Sequence, residues 1–299
     1  MKIIVTGSLG NISLPLTKEL VQKGNKVTVV SSNPEKQKEI EALGAVAAIG
    51  TIEDIGFLAT IFTGADAVYT MIPPPSHAQT DPNFDPIANW LKIADNYAQA
   101  IQKSGIKRVV HLSSIGAHMD KDSGIIIGHH RAELLLDKLS NVAITFMRPV
   151  AFYYNLLNFI PVIKNAGMIV SNYGAEDMVA WVSPIDIAAA ITEEIVTPLK
   201  GRKVIYVASE ELTCNQVAAI LGESIDKPDL KWICISDEQM LTNLVSFGVP
   251  KQFAVGLVEM QSGMHQGKFF EDYNKHRPTL GKVKLKDYAK EFAAVYNKG

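Results

Sequence analysis

A glycine-bearing turn near the start of the chain, Thr6-Gly7-Ser8-Leu9-Gly10-Asn11-Ile12-Ser13, constrains the fold more than any other feature. It follows the apolar run Ile3-Ile4-Val5 and leads into an amphipathic stretch that reaches Val21 and stops before Gly24. A strand-to-helix turn that aims backbone N–H groups outward at the positive end of its helix is a site for a pyrophosphate. Gly7 and Gly10 supply the unusual dihedrals and close backbone approach that such a site needs. Ser13 stands where a third small residue usually lets the helix pack on the strand, a mild departure from the usual fingerprint. The bland alternative is a plain turn with incidental glycines; the position at the head of a βαβ unit speaks against it.

The first half continues in the same rhythm. Short β-branched runs near 2–6, 26–31, 45–49, 67–71, 107–112 and 142–147 alternate with helical periods such as Ile93-x-x-x-Tyr97-x-x-x-Ile101. Nearly all-apolar strands belong to a parallel sheet covered by helices on both faces. The pattern predicts an α/β fold: a doubly wound parallel sheet of six strands over residues 1–150, with a smaller α/β lobe over 151–299 interleaved with it. In that lobe Ser183-Pro184-Ile185-Asp186 marks a capped helix start, and Thr213-x-x-Gln216 and Ser236-x-x-Gln239 fit capping boxes. Asp186 is read as a first-turn acid and not as a catalytic one.

Several function classes drop out on composition. With 29 Lys plus Arg against 31 Asp plus Glu and no basic block, the chain lacks the electrostatic footprint of a nucleic-acid binder. No apolar run reaches the ~18 residues of a membrane span. Cys214 and Cys234 are isolated, with no metal-ligand spacing, and are expected to be reduced core thiols of a cytoplasmic protein. No metal site is expected, and self-association is left open. Nucleophile-elbow, H-E-x-x-H and GK[ST] motifs are all absent.

Dinucleotide choice is written at the end of the second strand, where an acid would hold a ribose 2′-hydroxyl and a cation a 2′-phosphate. The chain has Ser31-Ser32-Asn33-Pro34-Glu35-Lys36, with no acid at the strand end. Ser31, Ser32, Asn33 and Lys36 therefore favour NADP(H) over NAD(H), while Ser31 to Pro34 would equally serve as a turn and helix cap.

Four segments carry a family resemblance: Thr6-Gly7-x-x-Gly10-Asn11-Ile12-x-x-Pro15-Leu16, Ser113-Ser114-x-Gly116-Ala117, His129-x-x-x-Glu133, and Thr145-Phe146-Met147-Arg148-Pro149-x-x-Phe152-x-x-Asn155. In order and spacing they resemble the NmrA-like family of atypical short-chain dehydrogenase/reductase proteins; Val182-Ser183-Pro184-x-Asp186-Ile187-Ala188 fits its substrate-side lobe. The resemblance implies a Rossmann fold binding NAD(P)(H), in a family with both small-molecule reductases and non-catalytic nucleotide sensors. It assigns Gly7, Ser8, Leu9, Gly10, Asn11 and Ile12, after Thr6, to the pyrophosphate, Ser31 to Asn33 to the adenosine ribose, and Met71, Ile72 and Pro73 to the nicotinamide ribose. Ser113 and Ser114 would face the crevice at the strand ends, or merely terminate the strand.

Short-chain reductases protonate their substrate with a tyrosine assisted by a lysine four residues later. None of the nine tyrosines has that lysine. In the matching region stand His129 and His130, with Glu133 one helical turn beyond His129, where it would orient the ring. His129 is the catalytic candidate, although the pair would also serve as a solvated helix contact. His130, Phe152, Tyr153 and Asn155 are substrate candidates, with Tyr154, Trp181 and the Met168 to Tyr173 loop as additions to a wall suited to a flat apolar molecule; aromatics there are equally ordinary core material. Two functions compete: an NAD(P)H-dependent oxidoreductase acting on a quinone or other small carbonyl-type acceptor, and a non-catalytic NADP(H)-sensing regulator.

Overall fold

A computed structural model describes residues 1–74 and 84–298. The first half supplies strands β1 (Lys2–Val5), β2 (Lys26–Ser31), β3 (Val46–Ile49), β4 (Ala67–Met71), β5 (Arg108–Leu112) and β6 (Ala143–Pro149). The second half adds β7 (Ala151–Phe152), β8 (Ile169–Ser171), β9 (Met178–Val182), β10 (Arg202–Val207), β11 (Glu210–Thr213) and β12 (Trp232–Cys234). Between the early strands run α1 (Ser13–Gln22), α2 (Gln37–Ala42), α3 (Ile55–Phe62), α4 (Pro86–Ser104) and α5 (Ile127–Asp137). Further helices are α6 (Ile160–Ala166), α7 (Pro184–Val196), α8 (Cys214–Ser224), α9 (Asp237–Ser246), α10 (Lys251–His265), α11 (Phe270–Lys275) and α12 (Leu285–Lys298).

The central sheet is parallel throughout and has the order β3-β2-β1-β4-β5-β6-β10. It has seven strands, one more than the sequence predicts, because β10 arrives from the far half of the chain and pairs with β6 along its whole length. This is the Rossmann-type architecture. Period-two alternation divides each strand between two cores. Ile3, Val5, Val29 and Tyr69 pack with Leu16 and Leu20 of α1 and with Ile187 and Ile191 of α7. Ile4, Val30, Val68 and Val109 face α3, α4 and α5 on the other side. Each such burial is worth about 1.5–3 kcal/mol, and the polar side chains that the strands do bury, among them Thr70, His111, Thr145 and Arg148, are hydrogen-bonded.

The smaller lobe has its own aromatic core of Tyr153, Trp181, Trp232, Tyr288 and Phe292. Its three-stranded sheet has the order β11-β9-β7, antiparallel between β11 and β9. Both capping boxes form, and the Ser183 hydroxyl caps α7. Asp186 does more than face the start of α7: its carboxylate accepts from the Ser209 hydroxyl at 2.5 Å and from the backbone N–H groups of Lys282 and Val283 at 3.1 and 3.0 Å, fastening the approach to α12. Cys214 is buried, but Cys234 lies exposed at the end of the short β12, which corrects its expected place in the core. Among the described residues no helix is long and apolar enough to cross a membrane.

Candidate functional site

The turn between β1 and α1 has the geometry that its glycines predict. Gly7 has φ +91° and Ser8 φ +55°, and a Cβ on Gly7 would lie 2.8 Å from Ser13 Oγ and 3.1 Å from Met71 Sδ. Ser13 uses its hydroxyl to donate to the Thr6 carbonyl at 2.8 Å, and Thr6 Oγ1 accepts from the Met71 N–H at 3.1 Å. A serine thus replaces the third glycine while bracing the turn. The N–H groups of Leu9, Asn11 and Ile12 make no hydrogen bond among the described residues. Helix α1 also starts with neither a side-chain cap nor an acid in its first turn. Unpaired N–H donors, a bare helix start and a glycine whose Cβ would collide fit a diphosphate.

At the end of β2 the Ser8 hydroxyl donates to Ser31 Oγ at 2.9 Å, and Ser31 in turn is tied to the backbone of Asn33 at 3.2 Å. Ser31 is buried and holds the loop together; Ser32 and Asn33 are the exposed members. Asn33 Oδ1 caps the following turn through the Glu35 N–H at 2.9 Å. Lys36 lies on Glu39, 2.9 Å away on the surface, a pair worth roughly 0.3–0.5 kcal/mol that a phosphate would readily displace.

At the ends of β5 and β6 the expected partnership of His129 with Glu133 is not formed. The Glu133 carboxylate accepts from Arg148 Nε at 2.9 Å and Nη2 at 2.6 Å, and from the Ser113 hydroxyl at 2.5 Å. All three residues are buried. Burial alone would lower the Arg148 pKa, but the bonds and charge of Glu133 hold it above its ordinary value. A paired carboxylate accepts only, so Ser113 spends its single proton on Glu133 and has none left to give a substrate carbonyl. Ser114 is partly exposed beside it.

His129 packs on Trp90, ring centroids 5.0 Å apart, with a buried Nδ1 that has no partner among the described residues. Burial pushes its pKa down to about 4, so the ring is neutral at pH 7. His111, within β5, shares a hydrogen bond with Thr70 Oγ1 at 2.9 Å and is pushed down to about 3 by burial and then by His129. His130 shares a bond with the Ala117 carbonyl at 2.9 Å through Nδ1, which braces the turn after β5.

Only part of the expected aromatic wall is exposed. Phe152 and Tyr154 are partly exposed and stacked, centroids 4.9 Å apart at 20°. Tyr153, between them in sequence, points the other way into the small-lobe core: it stacks on Tyr288 at 5.5 Å, and its hydroxyl reaches Glu210 and the Val283 carbonyl. Its expected substrate role is therefore corrected to a structural one, and Trp181, 1% exposed, is likewise core. Asn155 is exposed and makes no side-chain hydrogen bond among the described residues. Met71 sits against Gly7, and its carbonyl accepts from the Tyr97 hydroxyl at 2.9 Å, which fixes the path into Ile72 and Pro73. The sequence reading missed Tyr206 and Asp272, which share a hydrogen bond of 2.6 Å beside Arg148. A signal was available: Arg148 ends an otherwise apolar strand, and a buried cation demands acidic partners.

Residues 7–198, more than half of the chain, match the model of a family described as NAD(P)H-binding. The chain belongs to this family. The match opens on Gly7 of the turn between β1 and α1 and runs through α7, so it takes in the helix that the far half of the chain returns to the sheet. One relative, an NAD(P)H azoreductase of Xenophilus azovorans, is 23% identical over 261 residues, 86% of this chain and 85% of its own length. Among solved structures, an NADPH-dependent quinone oxidoreductase of Escherichia coli complexed with NADPH is similar with a TM-score of 0.80 at 20% identity, covering 97% of this chain and 99% of that one. The triphenylmethane reductase of a Citrobacter species, complexed with NADP(H), has a TM-score of 0.76 at 20% identity and covers 97% and 99%. These structures share the fold of this NAD(P)H-binding protein.

Proposed function

We propose that the chain is an NmrA-like, NADPH-dependent oxidoreductase that reduces a quinone or another small, flat, carbonyl-type acceptor. One observation carries the reading: the turn between β1 and α1 holds out the unpaired N–H groups of Leu9, Asn11 and Ile12 at a bare helix start, as a dinucleotide diphosphate requires. The nicotinamide, when bound, supplies the hydride. Gly7 to Ile12 bind the diphosphate, Ser32, Asn33 and Lys36 the 2′-phosphate, and Met71 to Pro73 with Ser114 border the nicotinamide ribose. His129 acts as a neutral N–H donor to the acceptor oxygen, the role a histidine takes when its environment keeps it uncharged. Water supplies the proton, because no protonated imidazole stands there at pH 7. A conjugated acceptor suits this arrangement, since charge left by the hydride is spread over its ring. That a relative is named an azoreductase and a structural neighbour a quinone oxidoreductase supports the same acceptor class.

The second reading is a nucleotide sensor without turnover, favoured by the lack of the tyrosine–lysine pair. Titration with NADPH and NADH by fluorescence, followed by quinones and aldehydes while absorbance of the reduced nicotinamide is recorded, separates the two. Acceptor-dependent oxidation is expected with quinones; tight binding without oxidation across the panel overturns the enzyme reading.

A further inference from the structure

One buried arginine joins the floor of the crevice to the helix beside it. While Nε and Nη2 of Arg148 hold Glu133, Nη1 lies 3.2 Å from the Tyr206 hydroxyl and 3.4 Å from Asp272 Oδ2. Tyr206, at the carboxyl end of β10, donates to the same Asp272 oxygen at 2.6 Å. Asp272 belongs to α11, whose next residue, Tyr273, packs edge-on against Tyr206 and donates to Glu211 Oε1 at 2.7 Å. Phe270 of the same helix is partly exposed and touches both the sheet core and the small-lobe core. Helix α11 therefore spans the lobe boundary at the carboxyl ends of the strands, where open α/β sheets bind their ligands. Facing it is the turn after β5: Gly116 lies against Phe269, and half-buried His118 feels the charges of Asp272, Glu271 and Lys275. His118 Nδ1 is buried with no partner among the described residues.

We propose that Asp272 is a positioning residue for the acceptor: through Arg148 and Tyr206 it holds α11, and with it Phe270, against the crevice, setting the hold on the acceptor and not on the dinucleotide. The proposal rests on the oxidoreductase reading. Hydrogen bonds to an ionised carboxylate are the strong ones, and here two converge on one oxygen from two strands of the sheet. Without that carboxylate Arg148 keeps Glu133, so the sheet core stays paired while α11 loses its charged anchor and is held by Phe269 and Tyr273. An acceptor must then order α11 as it binds, and that cost falls on KM and not on the chemical step.

Asp272→Asn and Tyr206→Phe, with Asp272→Glu as the conservative variant, test this by NADPH titration, steady-state reduction of 1,4-naphthoquinone and hydrogen exchange of residues 268–276. Asp272→Asn is expected to raise the naphthoquinone KM roughly five- to tenfold, the loss of one or two hydrogen-bonded anchors, with a smaller change in kcat and an unchanged NADPH Kd. Asp272→Glu restores most of the KM, and naphthoquinone slows exchange across 268–276 in the wild type. An unchanged KM in Asp272→Asn, or an equal loss of NADPH affinity, overturns the proposal while leaving the oxidoreductase reading intact. Wild-type protein that binds NADPH but reduces no quinone overturns both.

Discussion

Arg148 Nη2 lies 2.6 Å from Glu133 Oε2, and the two side chains are only 9% and 10% exposed. A bidentate pair this deep is strongly destabilising to break by halves, because the remaining charge is left in a poor solvent. Glu133→Ala is expected to cost about 3–5 kcal/mol by urea unfolding, and Arg148→Met a similar amount. Replacing both with apolar residues should recover a good part of the loss. Single variants within ~1 kcal/mol of wild type would show that the pair is not the anchor of this end of the sheet.

Gly10→Asp places bulk and negative charge in the phosphate turn, where a Cβ would already sit 3.1 Å from the Gly7 carbonyl. NADPH and NADH should both bind at least ~100-fold more weakly, about 2.7 kcal/mol. Unchanged affinity for both would remove the turn from the binding site.

His111 and His129 should make the fold acid-sensitive. Their folded pKa values, about 3 and about 4, lie below the ~6.5 of an unfolded histidine. The unfolded state therefore takes up protons first as pH falls, so the stabilisation is complete above about 6.5 and is lost on the way down to about 4 for His129 and about 3 for His111. His129→Asn is expected to flatten the urea midpoint between pH 7 and pH 4.5. An unaltered slope would mean that His129 is not held neutral.

The same neutrality shapes catalysis. If His129 donates an N–H bond without titrating, kcat for a quinone stays level from about pH 6 to pH 8, whereas an acid near ~6.5 would lose rate across that window. His129→Ala is expected to lower kcat about tenfold at unchanged NADPH affinity. Wild-type turnover in this variant would remove His129 from the chemistry.

Lys36→Ala bears on nucleotide choice. Its ammonium needs only to leave Glu39, so a 2′-phosphate should gain from it where a 2′-hydroxyl does not. Titration should show a several-fold weaker NADPH Kd and an unchanged NADH Kd; equal effects on both would deny Lys36 the selecting role.

The glycine turn after β1 and the first six strands were legible in sequence because they are local. Gly7 needs its φ of +91° whatever lies beyond, and an all-apolar strand has to be covered on both faces. Capping at Ser183, Thr213 and Ser236 is equally short-range. Tertiary structure decided what depends on distant partners. That β10 completes the sheet follows from its pairing with β6, some sixty residues earlier. That Glu133 serves Arg148 and not His129 follows from a strand end meeting a helix face, since a helical i,i+4 neighbour is a weak competitor for a carboxylate against a buried guanidinium. Tyr153 turns inward while Phe152 and Tyr154 stay partly exposed because the small-lobe core closes over the Tyr153 ring, which stacks on Tyr288 of the distant α12. Local dihedral demands and apolar periodicity are properties of the chain by itself; the pairing of buried charges and the side on which an aromatic ring lands exist only once distant segments have been packed together.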